Sequence, residues 1–489
     1  MAAALVLRNG QAAPLSRLPV LGAEEFRGAV LEAVGAGARL SALFARPKAA
    51  GLLAALADDE RGTVSLLGME PAGSYPALTP DCPQAHLFER EIFEQSGVRP
   101  QGHPWLKPVR FPPKEGSVCG MMDYFRVDGE EVHEVAVGPV HAGVIEPGHF
   151  RFQCHGENVR HLEISLGYQH RGAERALTGG PDRRTVHYME TLAGDSTVGH
   201  AWAGCQALEA LGKMEAPPRA AVLRGVALEL ERVANHIGDL GALAGDVGFL
   251  PTQSYCGRLR GDVLNATALL CGNRFGRGLL RPGGVTQDAD AARAKDLLDR
   301  LEDIGRDTAS AVGLLWDSPS VTGRFEETGT VSLEDCRRLG LVGVAARACG
   351  LNRDVRRDLP FGVYRYAMIP VSSWHAGDVF GRAQVRWLEV QRSLQFIREL
   401  LESLPGGSLR REPPGLSPEH AAVSLIEGWR GEICHVALTG AEGRFSAYKV
   451  ADPSFHNWFG LALALRGQQI SDFPLCNKSF NLSYCGFDL

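Results

Sequence analysis

The strongest constraint on the fold is a stretch of about 25 residues that opens after Pro217-Pro218 and carries Leu223, Val226, Leu230, Val233 and Ile237 on one stripe. An apolar stripe of that length belongs to a long amphipathic helix, which owes its stability to packing rather than propensity. It must therefore lie against other helices. The proline pair sets where it begins, because proline is tolerated in the first turn and breaks the interior. Further helices are predicted at 287–314, 333–345 and 376–403, so the chain from Thr185 to about residue 420 reads as a helix bundle. Beyond 420 a return to strands and loops is expected.

The N-terminal part has a different texture. Ala23–Gly35 reads as a short amphipathic helix, and Leu52 to Leu56 as part of another. Residues 70–85 are rich in Pro, Gly and Ser and read as a loop, followed by a helix from His86 that stops at Gly97. Pro100, Pro104, Pro108, Pro112 and Pro113 mark a linker, which divides the chain into segments 1–118 and 119–489. Residues 159–166 are strand-like after a Gly156-Glu157 turn. The expected class is α+β: a small N-terminal α/β domain, then a helix bundle with small β elements.

Composition and simple motifs mostly exclude. Lys+Arg number 51 against Asp+Glu 57, a net charge of −6 in 489 residues, which fits neither a disordered chain nor a binder of nucleic acid. No run of ~18 uncharged apolar residues forms a membrane span. The N-terminus lacks the order of a signal peptide, and a cytoplasmic location is expected. Eleven cysteines include no CxxC; the closest pair is Cys476 and Cys485. Common zinc and iron–sulfur spacings are thus absent. So are the glycine-rich phosphate loops, HExxH and GxSxG.

Longer constellations are more informative. Glu89-Arg90-Glu91-Ile92-Phe93, Gly97 and Gly102-His103-Pro104-Trp105-Leu106 resemble the signature of the C subunit of NADH–quinone oxidoreductase (complex I), although Glu94-Gln95-Ser96 departs from the usual pattern. The remainder resembles the D subunit and, more closely, the large subunit of membrane-bound energy-converting [NiFe] hydrogenases of the formate-hydrogenlyase type, which carry a C-like domain in front. The matching runs include Gly138-Pro139-Val140-His141-Ala142-Gly143, Glu146-Pro147-Gly148-His149-Phe150-Arg151-Phe152, Leu166-Gly167-Tyr168-Gln169-His170-Arg171-Gly172-Ala173-Glu174, Glu229-Leu230-Glu231-Arg232, Glu427-Gly428-Trp429-Arg430-Gly431-Glu432 and Asp452-Pro453-Ser454-Phe455.

The resemblance also shows what is missing. In the hydrogenases two CxxC pairs supply four thiolates to nickel and iron, soft metals that suit sulfur. The first pair maps onto Ala193 and Ser196, the second onto Ser483 and Gly486, with Cys485 one position out of phase and expected to point elsewhere. The sequence reads to Leu489, three residues past Gly486, without the C-terminal extension of nickel-loaded relatives. No NiFe centre is expected, and an active [NiFe] hydrogenase is the least favoured reading.

The resemblance implies roles for the rest. Complex I's D subunit also lacks the cysteines and binds a quinone headgroup in the vacated cavity. Here its second histidine place holds Ile145 and its tyrosine place Gly204, with His149 close enough to substitute. Glu146 and His149 stand where hydrogenases have a proton relay; an exposed turn is the plainer reading. His170 and Arg171 stand where both families approach the iron–sulfur cluster of a small subunit. Glu174, a metal ligand in hydrogenases, is expected in a salt bridge. Asp195, Ser196, His200, Ser483 and Tyr484 would line the vacated cavity, as a catalytic pocket or only a hydrogen-bond network. The expected function is a subunit of a complex I-like or hydrogenase-like oxidoreductase, peripheral on the inner face of the cell membrane. It would dock an iron–sulfur small subunit and antiporter-like membrane subunits, pass electrons to a quinone-like acceptor or to protons, and bind no cofactor itself; NAD would be distal at most. A non-catalytic scaffold is the alternative.

Overall fold

The computed structural model describes residues 4–46, 51–112, 118–141, 145–412 and 414–489. The expected long helix is Pro218–Asp246, and all five residues of its stripe are fully buried. It packs against Leu250–Cys271 and Val379–Glu402, with Ala291–Trp316 outside them. The helix Leu250–Cys271 was not anticipated from the sequence: its pattern is interrupted by Gly257 and Gly261.

The mixed helix-and-sheet class is as expected, and three local readings are corrected. Leu52–Asp58 is a strand between Arg39–Ala45 and Thr63–Met69, not a helix. Its Leu-Leu-Ala-Ala-Leu-Ala run favours a helix by propensity, but both faces of the strand are covered, so the run is continuously apolar and carries no period. The helix expected at 333–345 is broken into Leu333–Leu339 and Gly343–Ala348 by left-handed Gly340. After strand Phe445–Ala451 the chain forms three more helices, Pro453–Ala464, Phe473–Phe480 and Tyr484–Asp488. Asp452-Pro453-Ser454 announces the first: the Asp452 carboxylate accepts from Ser454 N and proline sits at the first helical position.

The sheets tie the ends of the chain together. His420–Glu427, Glu432–Thr439 and Phe445–Ala451 form an antiparallel sheet whose fourth strand is Gln11–Pro14 from the N-terminal segment. Buried Asn9 fixes that crossing: its amide donates to Leu359 O (2.7 Å) and Leu425 O (2.8 Å), and its oxygen accepts from Leu425 N (2.8 Å). A separate three-stranded sheet holds Val132–Val137, His149–His155 and Asn158–Ser165, with the expected hairpin turn at 156–157. Of the described helices none is long and apolar enough to cross a membrane. Pro113 of the predicted linker lies outside the described residues.

Candidate functional site

Three segments converge. The first, residues 193–196, leads into helix Thr197–Leu211; the second, 481–483, leads into Tyr484–Asp488; the third is the turn 428–431 between two strands. That turn is gripped from below. Arg232 donates to Glu427 O (2.7 Å) and Gly428 O (3.0 Å), and Gly343 packs directly on the Arg430 carbonyl. Arg430 is thereby aimed at the first two segments. Its guanidinium holds Asp195 in a two-point ion pair (2.6 and 2.7 Å), reaches Ser196 Oγ (3.4 Å), and donates through Nε to Asn481 O (2.5 Å). It also lies 3.9 Å over the Trp429 ring. Burial opposes its charge, but Asp195 keeps its pKa above the ordinary arginine value.

The four places that hold thiolates in the hydrogenases are each otherwise engaged. Ala193 is buried and apolar, and Ser196 Oγ faces Arg430. Ser483 Oγ accepts from Gly486 N (2.9 Å) as a helix cap. At Gly486 a Cβ would stand 2.7 Å from the Asp452 carboxylate. Cys485 corrects the expectation that it turns away. Its Sγ is 3.4 Å from Ser483 Oγ, and it faces Glu146 and the Gly194 amide, so it lies between the two half-sites. Burial, then Glu146, pushes its thiol up to about 11. One protonated thiol and two engaged hydroxyls are not the donor set of a nickel–iron centre. Among the described residues no group of three or more His, Cys, Asp or Glu is placed to hold a metal.

His200 lies beneath the site rather than in an open cavity. It is fully buried in a chain: Nε2 to Asp452 Oδ2 (2.9 Å), Nδ1 to His435 Nε2 (3.1 Å), and His435 Nδ1 to Tyr448 OH (2.9 Å). With Asp452 ionised and both imidazoles neutral the order of donors is Tyr448 to His435 to His200 to Asp452. Burial, then His200, holds His435 well below the ordinary histidine value. Tyr484 is buried against Trp458 and Phe150, and burial raises its pKa.

Glu146 and His149 are not paired with each other. His149 Nδ1 faces Gly138 O (3.0 Å), its ring stacks edge-on to Tyr124, and its buried Nε2 has no partner among the described residues. Ile145 is exposed, while residues 142–144 of the loop compared with the quinone-contacting segment lie outside the described residues. Gly204 packs against Met189 inside its helix.

The segment 166–174 is bonded to both half-sites. Arg171 donates to Thr191 O (2.7 Å), Leu192 O (2.9 Å) and Cys485 O (3.0 Å); His170 Nδ1 pairs with Asp488 O (2.7 Å). Asp488 accepts from Gly167 N and Gln169 N, and burial pushes it up to about 6. Glu174 does form the expected ion pairs, with Lys449 (3.0 Å) and Arg110 (3.6 Å).

Sequence reasoning missed Glu231, His435, Asp452 and the role of Arg430. Glu231 accepts from Val198 N (2.7 Å) and Gly199 N (3.1 Å) at the start of the helix Thr197–Leu211. Burial nevertheless pushes it up from 4.5 to about 8, with Asp195 adding to the rise. A carboxyl raised by folding holds its proton while the unfolded chain has lost it, so its contribution to stability falls as pH rises from about 4.5 to about 8. Glu231→Gln is therefore expected to gain on the parent protein across that window, by at most roughly 4 kcal/mol. Urea unfolding at several pH values reads this; a difference independent of pH would refute it.

Residues 246–420 match the family model of the 49-kDa subunit of respiratory-chain NADH dehydrogenase. A carbon monoxide-induced hydrogenase of Rhodospirillum rubrum is 33% identical over 353 residues, 71% of this chain and 97% of that protein. Formate hydrogenlyase subunit 5 of Escherichia coli K12 is 29% identical over 435 residues, 84% and 76% of the two chains. The C/D subunit of NADH-quinone oxidoreductase of Bdellovibrio bacteriovorus is 25% identical over 454 residues, 81% and 80%. By these relatives the chain is built like a subunit of a redox complex. The chain belongs to the family shared by these hydrogenase subunits and the 49-kDa subunit of NADH dehydrogenase.

Proposed function

We propose that this chain is a subunit of a membrane-associated oxidoreductase complex related to complex I and the membrane-bound hydrogenases, and that it holds no nickel–iron centre. Residues 1–118 serve as the C-like part and 119–489 as the D-like part. The observation that carries the reading is the bonding of Arg171 to Leu192 and Cys485, and of His170 to Asp488, beside the two half-sites of the former metal centre. A cation fixed there is suited to face the iron–sulfur cluster of a docked small subunit. It raises the cluster's potential by favouring the more negative, reduced state. Electrons leaving that cluster pass to a quinone-like acceptor or to protons. The complex lies on the inner face of the cell membrane through antiporter-like partners, and NAD, where it takes part, acts on a distant subunit. One observation favours a scaffold instead: Asp195 and Ser196 are both taken up by Arg430.

Purification of the intact complex tests this. Metal analysis is expected to give iron in iron–sulfur amounts and no stoichiometric nickel. Redox titration of the cluster signal should show Arg171→Gln lowering its potential by on the order of 60 mV, a tenfold change for a one-electron couple. One nickel per chain would overturn the reading, and an unmoved potential would leave the scaffold.

A further inference from the structure

Segments 193–196 and 481–486 are far apart in sequence, and in metal-loaded relatives the bimetallic centre joins them. Here something else must, because neighbouring loops without a cross-link are free to splay. Arg430 is built for it. Its two terminal nitrogens hold both oxygens of Asp195 in the first segment while Nε holds Asn481 O in the second. A planar guanidinium with directed donors sustains both contacts at once, which a lysine does not. The side chain is itself immobilised: it is 4% exposed and stacked on Trp429. The backbone of Asp195 is anchored independently, since its carbonyl accepts from Trp429 Nε1 (2.9 Å) and Asn235 Nδ2 (3.0 Å). Asn481 in turn donates to Asp239 (2.5 Å), which pairs with Arg386 (2.7 Å). Arg171 adds a tie beside it, from Leu192 O just before the first segment to Cys485 O in the second.

The former metal places are also closed, not simply vacant. The Asp452 carboxylate stands where a side chain at 486 would begin, and it is held there by His200 (2.9 Å) and Ser454 N (2.8 Å). Ser483 is committed to its cap.

We infer that the Arg430–Asp195 ion pair, made possible by Asp195, cross-links the two half-sites that thiolate–metal bonds join in relatives, so that they close with no metal insertion. The inference rests on the reading that the chain holds no nickel–iron centre, and it predicts a mechanical signature. Breaking the pair from one side loosens both segments.

Amide hydrogen exchange on the full chain, within its complex, reads this directly. The reporters are Ser196 N, bonded to Ala193 O, and His200 N, bonded to Ser196 O, in the first segment, and Ser483 N and Gly486 N in the second. Asp195→Asn is expected to speed exchange about tenfold in both segments, although only the first carries the substitution. Arg430→Lys is expected to do the same. Dipicolinate, a strong chelator, is expected to leave the unsubstituted protein unchanged, a measurement that stands even where a variant fails to fold. Acceleration confined to 193–200 would overturn the inference while leaving the proposed function intact. Acceleration of both segments by the chelator would overturn it by showing a metal cross-link. Stoichiometric nickel would instead remove the reading beneath it.

Discussion

Glu389→Ala is expected to cost about 3–5 kcal/mol, a large part of the stability of an ordinary domain. Glu389 is 1% exposed on the inner face of helix Val379–Glu402. One oxygen accepts from Arg347 (2.7 Å); the other accepts from His236 (2.7 Å) and lies 3.4 Å from Arg232. Burial opposes its ionisation, yet these three groups hold its pKa well below the usual carboxylate range. Removing it leaves the buried Arg347 Nη2 and His236 Nε2 donors without an acceptor and opens a cavity beside them, although Glu427 and Glu229 still face the guanidinium groups. The surrounding group shows how finely charge is matched. Glu229, Glu389, Glu427 and Asp354 face Arg232, Arg347 and Arg356, one acid in excess. Burial pushes one of the four, Glu427, up to about 7, so that it shares a proton near neutrality. Urea unfolding followed by circular dichroism measures the loss; a variant within 1 kcal/mol of the parent would show that the network carries little.

Gly343→Ala is the second large effect, expected at roughly 2–4 kcal/mol. Gly343 has φ +64°, and a Cβ there would run into the Arg430 carbonyl and Gly431 Cα. Both faults act on backbone, which cannot swing aside. Gly340→Ala is the matched control: φ is +69°, but the added carbon meets only the side chain of Gln84, at 2.8 Å. It should cost about 1 kcal/mol, the usual penalty for a left-handed alanine. Thermal unfolding separates the two, and equal melting points would refute the argument. Because Gly343 bears on Arg430, its variant should also speed exchange at 193–196.

How much of this was legible in the sequence depended on whether the signal was local. The helix Pro218–Asp246 announced itself because stripe and start signal lie within one stretch of chain. The strand Leu52–Asp58 did not, because burial on both faces erases the alternation that marks a strand. The resemblance alone located the four thiolate places and showed other residues in them. What joins the segments instead could not be read from it: Asp195 and Arg430 are brought together only by a turn that Arg232 and Gly343 hold in place, and no spacing rule links them. Cys485 was misjudged for a related reason. Phase within a motif does not by itself give a side chain's direction: Ser483 caps a short helix, and the thiol two residues on faces Gly194.

The pairing of Gln11–Pro14 with residues 420–423 has a consequence for how the protein is made. A ribosome adding ~5–20 residues per second releases this strand some tens of seconds before its partner exists. Until then its edge groups stay unmatched, and the later sheet waits for them in turn. Chaperone cover early in translation, and failure of the two halves to assemble when made as separate polypeptides at low concentration, follow from that one long-range ladder.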